Sequence, residues 1–149
     1  MAIGHQDGSL LATRREAARR KKTMMGFCRL NCAACSNYKA TLAHDLDELA
    51  REAKKWSDEK REYSVSDMIC LGCSRENVSF VFPYCRGCAV RLCAIGRKVM
   101  NCAECDEFDA CEKIGKRLAT FSNSKIREMM TLMHGKAMAS RAEAAATRA

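Results

Sequence analysis

The chain has 149 residues, enough for one ordinary domain or a small domain with extensions. It carries 26 Lys and Arg against 18 Asp and Glu, a formal +8, and 11 cysteines, an odd count that excludes complete pairing into disulfides within the chain. No run approaches the roughly 18 apolar residues of a membrane span, and the first residues lack the apolar segment of a secretory signal. A cytoplasmic protein is therefore expected, with reduced thiols serving metal or redox chemistry.

In chain order, residues 1–27 read as a basic tail, with Arg14, Arg15, Arg19, Arg20, Lys21 and Lys22 and no apolar stripe, ordered only on a partner. Residues 36–62 predict one amphipathic helix, because Tyr38, Leu42, Leu46, Leu49, Ala53 and Trp56 recur at steps of three and four between charged residues. VSFVF at 78–82 has the composition of a short strand, ended by the only proline, Pro83. AVRLCAI at 89–95 predicts a short helix stopped by Gly96. A last helix is predicted over about 124–147, capped by Ser124, with Ile126, Met129, Met130, Met133 and Ala137 on one face. That methionine face suits either a partner or the protein's own 36–62 helix.

The charge is uneven. Residues 1–27 hold six basic and two acidic residues, +4; residues 28–111 hold twelve and thirteen, −1; residues 112–149 hold eight and three, +5. All eleven cysteines lie in the middle segment, away from the excess charge.

The cysteines run Cys28-x3-Cys32-x2-Cys35, Cys70-x2-Cys73-x11-Cys85-x2-Cys88 and Cys93-x8-Cys102-x2-Cys105-x5-Cys111. Two residues between thiolates let one tight turn aim both sulfurs at one ion, and Gly72 and Gly87 ease two of the turns. The pairs 70/73 and 85/88, bridged by VSFVF, make the most regular four-sulfur set. Cys93, Cys102, Cys105 and Cys111 make a second, and sites may interleave along the chain. All eleven are candidate metal ligands. His44, nine residues after Cys35, is a candidate fourth ligand for Cys28, Cys32 and Cys35, against the simpler reading of a solvent-facing histidine; His134 is the other histidine considered.

The first triplet has the spacing that radical S-adenosylmethionine enzymes use for a [4Fe–4S] cluster. Those enzymes need a β/α barrel, and one credible strand argues against radical chemistry. FCRLNCAACSNY at 27–38, CLGC at 70–73 and CRGCAVRLCAIGRKVMNCAECDEFDAC at 85–111 resemble the cysteine-rich family known as domain of unknown function 3795, over about 28–118. All eleven cysteines match that pattern, as do Tyr38, Gly72, Arg91 and Ala94. Arg29 stands where the family usually has glycine, and Asp109-Ala110 replaces a single proline, lengthening the last gap by one residue. The resemblance implies a metal-binding domain, with zinc as the metal, and no particular activity.

These readings converge on a small α-rich, metal-stapled α+β domain at 28–118. A basic tail precedes it at 1–27, a Met/Ala-rich helix follows at 119–149, and one short β element lies within it. The expected function is non-catalytic: zinc at two or more sites fixes a scaffold or accessory subunit, which docks on a protein partner through the C-terminal helix and the N-terminal tail. The alternative is an iron–sulfur protein with a [4Fe–4S] cluster, an electron carrier or small subunit of a redox enzyme. A nucleic-acid adaptor is not favoured, because two four-thiolate zinc sites would take the middle segment to about −5. Arg86, Arg91, Arg97 and Lys98 are then better read as offsetting thiolate charge. No hydrolytic triad or phosphate loop appears.

Overall fold

The computed structural model describes residues 24–148, so the expected N-terminal tail lies outside the described residues up to residue 23. The fold is helix-rich. Seven α-helices are described: α1 (Ser36–Ala43), α2 (Leu46–Trp56), α3 (Val65–Met68), α4 (Pro83–Arg86), α5 (Ala89–Gly96), α6 (Glu112–Ala119) and α7 (Lys125–Ala146). Three 3-10 turns, Cys32–Ala34, Cys102–Glu104 and Phe108–Ala110, lie among them. Among the described residues no helix is long and apolar enough to cross a membrane.

The helix expected over 36–62 is two helices. His44 takes a left-handed conformation, φ 56°, and its N–H closes α1 on Ala40 and Thr41. Asp45 then starts α2, its carboxylate accepting from the Glu48 N–H at 2.9 Å. The second helix stops at Trp56, where the Ser57 hydroxyl donates to the Ala53 carbonyl and accepts the Tyr63 N–H. Leu49 and Ala53 turn inward and pack with Ala40, Met68, Cys70 and Phe82, which form one apolar core. Trp56, expected on the same inner stripe, instead rests half-exposed against Phe82, ring centroids 4.9 Å apart.

The strand expected at 78–82 does not form. Among the described residues the only β pairing is an isolated bridge between Met25 and Asn31. Residues 78–82 follow a bent path because side chains take the place of a partner strand. Arg86 donates to the Ser79 and Val81 carbonyls, Asn77 bonds Gly72 and Phe80, and one backbone bond, Leu71 N–H to Phe80 O at 2.8 Å, holds the ends. A segment whose carbonyls are satisfied in this way has no need of a ladder.

The second core gathers Phe27, Val90, Ala94, Ala103, Phe108, Ile114, Leu118 and Met130. Phe27, at 2 % exposure, belongs to it. The fifth helix includes Gly96, and the chain turns at Lys98 (φ 58°) instead. At the start of α7 Ser124 makes no side-chain cap; the neighbouring Asn123 carbonyl oxygen accepts the Lys125 N–H. This helix does not lie on α2. Met130 and His134 seat it on the Cys102–Glu104 turn, His134 Nδ1 lying 2.8 Å from the Ala103 carbonyl and its ring against Phe108. Met129, expected on the inner face, is exposed.

Candidate functional site

All eleven cysteines are free thiols in the structure. Cys28 and Cys70 are buried, Cys35 is exposed, and the other eight are partly buried. Two of the cysteine-bearing turns are near copies of each other. NCAAC at 31–35 and NCAEC at 101–105 each form a 3-10 turn, capped by an asparagine whose side-chain Oδ1 accepts the N–H of Ala33 (3.0 Å) or Ala103 (2.9 Å). In both, the N–H of the second cysteine donates to the carbonyl of the first, at 3.0 and 3.1 Å. The repeated NCAxC was present in the sequence and is the signal that could have identified the pair.

The sulfurs sort by which of them act on one another. Burial pushes the Cys85 thiol up to about 12, and the charges of Cys70, Cys73 and Cys32 push in the same direction. Burial likewise raises Cys32 to about 11, partly offset by a hydrogen bond from the Cys73 N–H, with Cys73, Cys70 and Cys35 beside it. On the other side burial raises Cys102 to about 12, and its neighbours are Cys28, Cys111, Cys105 and Cys93. Cys70, Cys73 and Cys85 of the regular set are thus joined by Cys32, beside which Cys35 also lies. Cys111, despite the lengthened gap before it, faces the same cavity as Cys93, Cys102 and Cys105. That cavity has about 440 Å³ of unfilled space, counting its open mouth.

Three guanidiniums point at sulfur. Arg91, 3 % exposed, donates to Cys73 Sγ at 3.7 Å and to the Ser74 and Asn77 carbonyls. Arg97 donates to Cys105 Sγ at 3.8 Å, lies beside Cys93, and pairs with Glu107 at 2.6 Å. Arg117 lies beside Cys28 and near Cys88. The Cys73 thiol is raised by burial more than Arg91 and the Phe27 N–H lower it. Arg86, grouped with these in the sequence, serves the 78–82 carbonyls instead.

As placed, no three Cys, His, Asp or Glu side chains among the described residues converge so as to hold a metal ion. His44 is exposed and caps α1. Both ring nitrogens of His134 face oxygen, Ala103 O on one side and Asp109 Oδ2 at 3.6 Å on the other, which makes it a strut for α7.

The family model described as "Protein of unknown function (DUF3795)" matches residues 24–116, and the chain belongs to that family. No curated protein and no solved structure matches the chain.

Proposed function

We propose that this is a non-catalytic metal-binding protein in which cysteine thiolates hold zinc at two or more sites, and that the metal-held domain serves as a scaffold or accessory subunit for a protein partner. One observation carries the reading: the Arg91 and Arg97 guanidiniums donate to cysteine sulfur, and Arg117 lies beside Cys28. A guanidinium gains little from a neutral thiol and much from a thiolate, since charge-assisted hydrogen bonds are about twice as strong as neutral ones. For buried Arg91, which takes part in none of the ion pairs among the described residues, the counter-charge matters most.

The donor set fits zinc in its chemistry, and Cys28, Cys32, Cys35, Cys70, Cys73, Cys85, Cys88, Cys93, Cys102, Cys105 and Cys111 are the residues from which its ligands would come. Metal bound there supplies a cross-link between segments far apart in sequence. The chain's own residues orient the sulfurs on asparagine-capped turns and offset their charge with arginine. Burial disfavours the thiolate at Cys32, Cys85 and Cys102, which speaks against their use as free nucleophiles. For the partner, support comes from Met129 and Leu132, exposed on the outer face of α7, and from the half-exposed rings of Trp56 and Tyr84.

An iron–sulfur centre is the second reading, favoured by the way Cys93, Cys102, Cys105 and Cys111 line one cavity. Elemental analysis with a visible spectrum, on protein purified without oxygen, tests both. About two or more zinc per chain and no colour supports the first reading; iron with matching sulfide and a bleachable brown colour supports the second. Metal-free, fully folded protein would overturn both.

A further inference from the structure

We propose that the cleft between residues 24–29 and 73–76 is a binding site for a small molecule that carries a phosphate group, held by Arg29 and Arg75. The inference goes beyond the metal reading: it concerns a different group of side chains and stands whichever metal the cysteines hold.

Both arginines line this cleft and are partly buried. Their Nε atoms are shut off from solvent, and among the described residues neither Nε has a hydrogen-bond partner. Neither side chain takes part in an ion pair among those residues. Arg75 spends one N–H on the Val99 carbonyl, at 3.3 Å. This sets the two apart from Arg91 and Arg97, which donate to cysteine sulfur. A buried donor of a charged group without a partner is costly, and in folded proteins it calls for an ion, a bound water or a functional role. Of the four buried side-chain atoms left in this state among the described residues, two belong to this cleft's arginines, so the shortfall is concentrated in one place. Arg29 also holds a left-handed backbone, φ 63°, a strained state for a residue with a Cβ. Strain of this kind gathers at ligand clamps.

The chemistry of the lining selects the ligand. Each guanidinium is a planar fork of N–H donors, the geometry that pairs with phosphate and carboxylate oxygens. Two positive charges match the near-dianion of a phosphate monoester at neutral pH better than the single charge of a carboxylate. The Ser74 hydroxyl adds a further donor. Among the described residues lining the cleft, Glu76 is the one carboxylate, and it is exposed, where water weakens its field. Cys73 also lines the cleft, and its sulfur already takes a hydrogen bond from Arg91. Met24, Met25 and the exposed Met100 supply an adaptable apolar surround, which suits a phosphate attached to an apolar body. An oxyanion entering the cleft gives the arginine N–H groups the acceptors they lack, once the long side chains turn toward it.

The test titrates phenyl phosphate into the full chain as purified, by isothermal calorimetry at low salt, with metal content and melting temperature measured on the same samples. Saturable binding of one molecule per chain is expected, weakened about tenfold or more in Arg29→Gly and in Arg75→Ala while the metal content stays unchanged. Arg29→Gly relieves backbone strain, so binding lost in that variant is not lost through the fold. Arg75→Lys keeps the charge without the fork and should fall between the unaltered chain and Arg75→Ala. Benzoate, a similar apolar body with a single charge, should bind about tenfold more weakly than phenyl phosphate. If Arg29→Gly and Arg75→Ala bind phenyl phosphate as well as the unaltered chain does, the anion sits elsewhere and the site is overturned. Benzoate binding equally well overturns the choice of phosphate. No binding by a chain that carries its metal overturns the inference and leaves the metal reading standing; a metal-free, folded chain that binds phenyl phosphate through these arginines does the reverse.

Discussion

Arg29 stands in the left-handed backbone region, φ 63°, between Phe27 in the core and the Cys32 turn. A residue with a Cβ adopts that conformation at a cost of about 1–2 kcal/mol, which glycine avoids. This makes Arg29→Gly a stabilising change. The expected gain is about 0.5–1 kcal/mol, read as a rise in melting temperature of a few degrees with the metal content unchanged. An unchanged or lowered melting temperature would mean that the Arg29 side chain contributes more than its backbone costs. The thiols give a second residue-scale expectation. Held at about 11 for Cys32 and about 12 for Cys85 and Cys102, they are protonated at neutral pH in the absence of metal. Metal must displace those protons, so zinc titrated into metal-free chain at pH 7 in weak buffer should release on the order of one proton per cysteine ligand, followed with an indicator dye. Zinc uptake without acidification would show that the ligands are not these thiols.

At the scale of elements, α7 owes its position to a few contacts. Met130 is fully buried against the second core, His134 bridges Ala103 and Asp109, and Arg141 bonds Asp106 and the Glu104 carbonyl. Met130→Ala should cost about 2–5 kcal/mol of docking, seen as faster amide exchange along α7 with little change at Leu49 in the other core. Equal loosening of both cores would show that they fold as one unit. How much of these elements was legible follows from the same contacts. The periodicity that reveals α1 and α2 runs through Leu42 and Leu46 without interruption, so it is blind to the break at His44; Asp45 followed by Glu48 was the available sign of a new N-terminus. VSFVF has strand composition, but composition cannot report that Arg86 and Asn77 will satisfy its backbone in place of a neighbour. The last helix was readable from its own residues to within one or two positions. Its resting place was not, because Met129 and Met130 look alike in sequence while one is exposed and the other buried.

For the whole molecule, two small apolar cores share one chain, and neither is large. The seventeen buried hydrophobic residues among those described include two cysteines and several alanines, a thin inventory for a domain of this size. The ligand candidates were legible as a set, since the density and spacing of cysteine are visible at once. Their grouping was not, because it depends on where Cys32 comes to lie beside Cys73, Cys70 and Cys85, neighbours distant in sequence that spacing does not encode. If metal supplies what these cores lack, its binding free energy, of the order of 10–16 kcal/mol for a structural zinc, is also the folding free energy of the domain.

The most direct test of that claim is metal removal followed by circular dichroism and thermal melting of the full chain, with metal content measured alongside. The account predicts that complete chelation abolishes the cooperative transition, strips most helical signal from residues 28–111, and that both return when zinc is restored. A chain that keeps its spectrum and melting temperature after the last metal has been removed would contradict it.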